Sequence, residues 1–144
     1  MQTVHDLLED VQKINLDDEI QFALIDTADT YVQLQREQML SGKRDDGKNI
    51  FRISTGSDEY SAQYAKRKGR KKPIDLYDKG DFQAEIFMDV RDNELFIDSA
   101  DPKSGMLQKD YGEEIFGLQD KPAEHFATQV AYSLVNNYET KLSK

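Results

Sequence analysis

The sequence contains no cysteine. A disulfide framework and every cysteine-based zinc site are thereby excluded, and a reducing compartment is the natural setting. Histidine is scarce: His5 and His125 lie at opposite ends of the chain. Neither has a partner at metal-ligand spacing, so both read as ordinary side chains, one at the surface and one half-buried. No apolar run approaches the roughly 20 residues that a membrane-spanning helix needs. The opening MQTVHDLLED is acidic and amphipathic, without the basic start and apolar stretch of a signal peptide. The expectation is a soluble protein made in the cytoplasm, with no membrane partner. Basic residues are outnumbered, nineteen against twenty-eight acidic ones, for a net charge of −9.

The positive charge that is present is concentrated. Residues 65–82, AKRKGRKKPIDLYDKGDF, hold Lys66, Arg67, Lys68, Arg70, Lys71 and Lys72 within seven positions. That window supplies +6 to a chain of −9, which leaves −15 for everything else. A field of that sign repels phosphate, so any contact with DNA or RNA has to be local. Three readings of the run follow. It is a solvated loop; or a nucleic-acid contact flanked by Tyr60, Tyr64 and Tyr77 but without the interleaved aromatics of stacking surfaces; or an assembly contact. In the last case it meets the acidic surface of another copy, and such head-to-tail contacts close into rings.

A chain of 144 residues sets the expectation of one domain with a modest core. Within it, residues 1–42 read as helical, 43–72 as a polar basic excursion, 73–118 as a β-hairpin core and 119–144 as a C-terminal helix. Val4, Leu7, Leu8, Val11 and Ile14 give residues 3–14 a helical stripe. Asn15-Leu16-Asp17 breaks it, and Asp17 or Asp18 can cap a second helix running to Leu40. Ile20, Leu24, Thr27, Ala28, Tyr31 and Leu34 or Gln35 form its stripe; about 24 residues give about 36 Å. Gly42 ends it as a C-terminal cap.

The excursion 43–72 is polar and rich in turn formers, with Ile50, Phe51 and Ile53 as anchors. It is expected to be partly ordered, with a short strand or helical turn near 58–66. Phe82, Ala84, Ile86, Met88 and Val90 then alternate with polar or opposite-face residues. Asp92-Asn93 supplies a turn, and Leu95 and Ile97 resume the alternation. Leu107 and Tyr111 share a helical turn stopped by Gly112. Asp120 starts the last helix, with Pro122 in its first turn and a stripe of Phe126, Val130, Leu134 and Tyr138. The sum is α+β: a long N-terminal helix, a small antiparallel sheet with a central β-hairpin, and a C-terminal helix packed on the sheet. One strand pair is marginal by itself, so a further strand is expected from 49–54 or 72–78.

Catalytic patterns are absent. No nucleophile-elbow glycines accompany a serine, and GSDEYS and DPKSG lack the Gly-Lys-Ser/Thr of a phosphate loop. Asp75, Asp78, Asp81 and Glu85, with Lys79 nearby, resemble the acidic set of a two-metal nuclease, but a chain this acidic produces such sets by chance. Asp98-Ser-Ala-Asp101 fails the EF-hand spacing. The expectation is no enzyme, no cofactor and no metal.

The order of elements carries a resemblance. A long helix precedes a polar stretch with Ser54 and then Tyr64-Ala65-Lys66-Arg67-Lys68. Leu76-Tyr77-Asp78-Lys79-Gly80-Asp81-Phe82 leads into a strand pair, and Tyr111-Gly112 follows. Over residues 45–118 this resembles the phage virion morphogenesis family, the tail-completion and neck proteins of tailed bacteriophages and prophages. Lys79 stands where that family usually has Thr. The resemblance implies a structural virion protein, a tail terminator or head–tail joining subunit made in the host cytoplasm. It implies a ring of self-copies, often six, docked on the head connector or tail tube, with DNA passing through and not specifically bound. An acidic bore would let the DNA slide. On this reading Lys66, Arg67, Lys68, Arg70, Lys71 and Lys72 form the assembly interface. Tyr77, Gly80, Phe82, Tyr111 and Gly112 are structural turn residues, with Gly80 supplying an unusual backbone angle. The rival readings are a small nucleic-acid-binding accessory protein using the loop 66–72, and the metal-dependent nuclease.

Overall fold

The computed structural model describes the backbone of residues 17–91 and 94–142 and side chains of residues 18–91 and 94–137. The helix expected at 3–14, His5, the turn at Asp92-Asn93 and the side chain of Tyr138 lie outside these. The chain is α+β, as its patterning implies. Two helices, α1 (Asp17–Asp26) and α2 (Ala28–Leu40), are followed by the short α3 (Ala62–Lys68) and the single turn α4 (Asp81–Ala84). Strands β1 (Ile86–Arg91) and β2 (Glu94–Ser99) form the sheet; α5 (Ser104–Tyr111), a 3₁₀ turn at Glu113–Ile115 and α6 (Asp120–Leu142) complete the order.

The chain divides into two compact units. The first groups the described residues up to Tyr31, those of 88–96, and those from Asp120 on. Its core is Ala23, Tyr31, Phe126, Val130, Ala131 and Leu134. Tyr31 and Phe126 meet edge to face at 5.1 Å, and the Ser133 hydroxyl donates to Asp26 Oδ2 at 2.9 Å. The last helix buries Phe126, Val130 and Leu134 of the expected stripe, but its main partner is α1 and not the sheet. His125 is exposed, where the sequence allowed a half-buried position.

The single helix expected from 17 to 40 is interrupted at Thr27. The Thr27 hydroxyl donates to the Ala23 carbonyl at 2.7 Å and to that of Leu24 at 3.2 Å. A threonine hydroxyl bonding back to the preceding turn shares that turn's carbonyls with the ladder, which is kept here by the Thr27 N–H on the Ala23 carbonyl and the Tyr31 N–H on the Thr27 carbonyl.

The second unit spans 32–87 and 97–119. Its core holds Met39, Ile50, Ile74, Phe82, Ile86, Tyr111, Ile115 and Phe116, with Val32, Tyr60, Leu76, Ile97 and Leu107 packed against it. Helix α2 enters with two buried glutamines. Gln35 donates to the Ile115 carbonyl at 3.2 Å and accepts from the Gly117 N–H at 2.8 Å. Gln38 donates to the Gly117 carbonyl at 2.7 Å and accepts from the Gln119 N–H at 2.8 Å. Each amide thus satisfies one backbone donor and one acceptor in a segment that has no strand partner. The helix ends as expected at Gly42, with φ +74. The Gly42 N–H reaches Met39 O and the Lys43 N–H reaches Gln38 O, a Schellman closure. A Cβ at Gly42 would lie 2.3 Å from Pro73 Cβ, so the position is closed to larger residues by space as well as by angle.

The sheet differs from expectation in two ways. Strand β1 begins at Ile86, not Phe82, because residues 81–84 form a helical turn. Phe82 and Ile86 are four apart, a spacing that suits one helix face as well as alternate strand positions. The Arg36 guanidinium donates to the carbonyls of Gln83 and Ala84 at 2.7 and 2.8 Å and so caps that turn. Among the described residues the sheet has only these two strands, and neither 49–54 nor 72–78 adds a third. The pair does not need one, because Ile86 is buried in the core and Ile97 packs against it.

The excursion 43–72 is more ordered than its composition suggested. It holds an antiparallel bridge between Lys43 and Asn49, turns through Arg52 and Ser57, and helix α3.

Candidate assembly surface at the basic run

Helix α3 starts where the Ser61 hydroxyl accepts from the Tyr64 N–H and ends at Gly69 in the left-handed conformation. This turn, followed by a cis Lys72–Pro73 peptide, leads to Ile74 and Asp75, only 2% and 6% exposed. A buried carboxylate needs partners, and the basic run provides them. Asp75 Oδ1 accepts from Lys68 Nζ at 2.7 Å, from the Tyr60 hydroxyl at 2.9 Å and from the Tyr77 N–H at 3.0 Å. Its Oδ2 accepts from Arg70 Nη2 at 2.5 Å. Lys68 also donates to the Tyr77 carbonyl and lies 4.8 Å from the centre of the Tyr60 ring. Burial pushes the Asp75 carboxyl up, but the hydrogen bonds from Lys68, the Tyr77 N–H and Tyr60 together hold it below the usual carboxylate range. Burial raises the Tyr60 phenol, so it stays protonated.

The six basic residues therefore divide. Lys68 and Arg70 turn inward onto Asp75. Lys66, Arg67, Lys71 and Lys72 are exposed; Arg67 lies over the Tyr64 ring at 5.3 Å, and Lys72 is 3.9 Å from Glu59. Four cations are presented outward on a segment that two others tie to the core.

The turn residues sit below this lobe. Leu76 takes φ +58, an uncommon angle for a branched side chain, and this aims the Tyr77 N–H back at Asp75. Gly80 has the unusual angle expected of it, φ +89, and a Cβ there would meet Tyr77 Cε2 at 3.0 Å. Phe82 is buried against Phe116, with ring centres 5.8 Å apart. Tyr111, also buried, accepts from Arg52 Nη2 at 3.1 Å, and Gly112 follows it at the end of α5.

Two hollows flank α3. One, of about 380 Å³, is lined by tyrosines 60, 64 and 111 and carries Glu59, Asp78 and Asp110 against Arg52 and Lys103. The other is an open cleft of about 500 Å³ between Tyr64 and Tyr77, with Arg67, Lys68 and Lys79 against Asp78 alone. The acidic set Asp75, Asp78, Asp81 and Glu85 is not brought together: among the described residues no three His, Cys, Asp or Glu side chains form a group able to hold a metal ion. Among them, too, no helix is long and apolar enough to cross a membrane.

Sequence reasoning marked the basic run but missed Asp75 as its anchor, and missed Gln35 and Gln38 as structural ligands of the 115–119 backbone. Comparison of the chain with protein-family models, curated proteins and solved structures finds no match.

Proposed function

We propose that this chain is a non-enzymatic structural subunit of a tailed-phage or prophage particle. It is a ring-forming neck or tail-completion component whose basic lobe contacts a neighbouring copy. The observation that carries this reading is the division of the basic run. A solvated loop has no need of an anchor, whereas here a buried carboxylate fixes two cations and so holds four others outward in one place. Preorganised charge of one sign, on a chain whose remainder carries −15, suits electrostatic docking on a second copy. The angle and packing of Gly80 and the burial of Phe82 support the resemblance in the turn that leads to the strands. The tail tube or head connector is the further partner, and DNA passes without specific binding.

The test is mass by light scattering over a wide concentration range, with the same samples imaged for rings. Lys66→Glu with Lys71→Glu is expected to abolish association while leaving the monomer folded; unchanged rings reject the role. Lys68 is left intact, because its reversal would break the Asp75 anchor.

One arrangement favours a second reading, a nucleic-acid accessory protein: Tyr64 lies beneath Arg67, and Tyr77 is 44% exposed at the same cleft. Aromatic faces beside cations suit single-stranded nucleic acid. Affinity for DNA that falls steeply with salt would establish it.

A further inference from the structure

Helix α1 and the first turn of α2 carry an outward stripe that the first unit does not use. Asp18, Phe22, Ile25 and Asp29 are all exposed and stand at i, i+4, i+7 and i+11. The helical ladder continues across Thr27, whose N–H reaches Ala23 O and whose carbonyl accepts from the Tyr31 N–H, so the four share one face. Phe22 and Ile25 are 58% and 62% exposed, among the most exposed large apolar side chains of the described residues. Residues 17–35 contain five acids and no basic residue. The stripe is thus an apolar pair set between carboxylates.

The cleft between Tyr64 and Tyr77 has the complementary character: two aromatic walls, with Arg67 and Lys79 at its edge. The neighbouring hollow does not, since three carboxylates face two cations there. We infer that α1 and the first turn of α2 dock, through Asp18, Phe22, Ile25 and Asp29, into the Tyr64–Tyr77 cleft of a second copy of this chain. This rests on the self-assembly reading and names the two faces that meet. Phe22 and Ile25 pack on the tyrosine rings, and Asp18 and Asp29 pair with Arg67 and Lys79. Because stripe and cleft are different surfaces of one chain, the contact is heterologous and propagates head to tail.

The full chain tests this through two variants. Phe22→Asp with Ile25→Asp removes the stripe; Arg67→Glu with Lys79→Glu removes the cleft. All four side chains are outside the apolar cores, and thermal melting verifies the fold of each variant. Each pair is expected to weaken self-association by roughly 30-fold or more, the loss of a central contact. Mixing the two variants is expected to give a one-to-one dimer and nothing larger, since each keeps one intact half. Asp18→Lys with Asp29→Lys is expected to restore association to the cleft variant. Association retained without the stripe, or a mixture that stays monomeric, overturns the docking and leaves self-assembly through Lys66 and Lys71 standing. Loss of melting temperature without change of mass in the stripe variant assigns the stripe to a partner within the chain and overturns it too. A wild-type chain that is monomeric at every concentration overturns both readings.

Discussion

Lys68 Nζ lies 2.7 Å from Asp75 Oδ1, and that single contact decides which face of the basic run is available to a partner. The two stand seven positions apart in sequence, and the left-handed Gly69 turns the chain between them. With Arg70 on the other oxygen, the carboxylate is held from both sides.

Asp75→Asn leaves two cations facing a neutral amide in a buried place. Removing one partner of a buried ion pair costs about 3–5 kcal/mol, and the partial exposure of Arg70 reduces this to about 2–3 kcal/mol. A urea denaturation curve measures it. Lys66→Ala, at an exposed position, is expected to stay within about 0.5 kcal/mol of the parent.

The same carboxylate makes stability depend on pH. Its folded pKa lies below its unfolded value, so folding is favoured by an ionised Asp75. That contribution is fully present above the unfolded pKa of about 4 and is lost as pH falls through the lower, folded value. Asp45 has the opposite shift, raised by burial and then by Asp46 and Glu114, and it cancels when two variants are compared. The gap in melting temperature between the parent and Asp75→Asn is expected to be constant near neutrality and to narrow below about pH 4. A gap that widens on acidification contradicts the assignment.

Two glycines test space against angle. Gly80→Ala places a residue at φ +89 and 3.0 Å from a movable tyrosine ring, and is expected to cost about 1–2 kcal/mol. Gly42→Ala adds a 2.3 Å approach to the Pro73 ring. Overpacking costs a further 1–3 kcal/mol or so, and the order of the two denaturation midpoints checks this.

Gln38→Leu keeps the bulk and removes the partners of the Gly117 carbonyl and the Gln119 N–H. Leaving such groups unpaired costs about 1–3 kcal/mol each where water cannot replace the bond. Hydrogen exchange is expected to show the Gln119 amide deprotected while the helix α5 amides stay unchanged.

Much of this fold was legible locally. Gly42 and Gly112 stop helices because a positive φ ends the ladder, and the spacing of Phe126, Val130 and Leu134 places one face of α6 in the core. These signals act within a few residues, so the sequence alone determined them, together with the α+β class and the segregation of charge. Tertiary structure decided the rest. Phe82 and Ile86 are spaced alike for helix and strand, and only the Arg36 side chain, some fifty residues earlier in sequence, caps the turn that delays β1. Gln35 shares its place on the helix stripe with Leu34 as an alternative, and nothing local marks Gln38, because the partners of both lie 79 to 82 residues away. Six cations in a row look equivalent in sequence. The burial of one carboxylate, which must be neutralised where water is excluded, is what turns Lys68 and Arg70 inward and leaves Lys66, Arg67, Lys71 and Lys72 facing out.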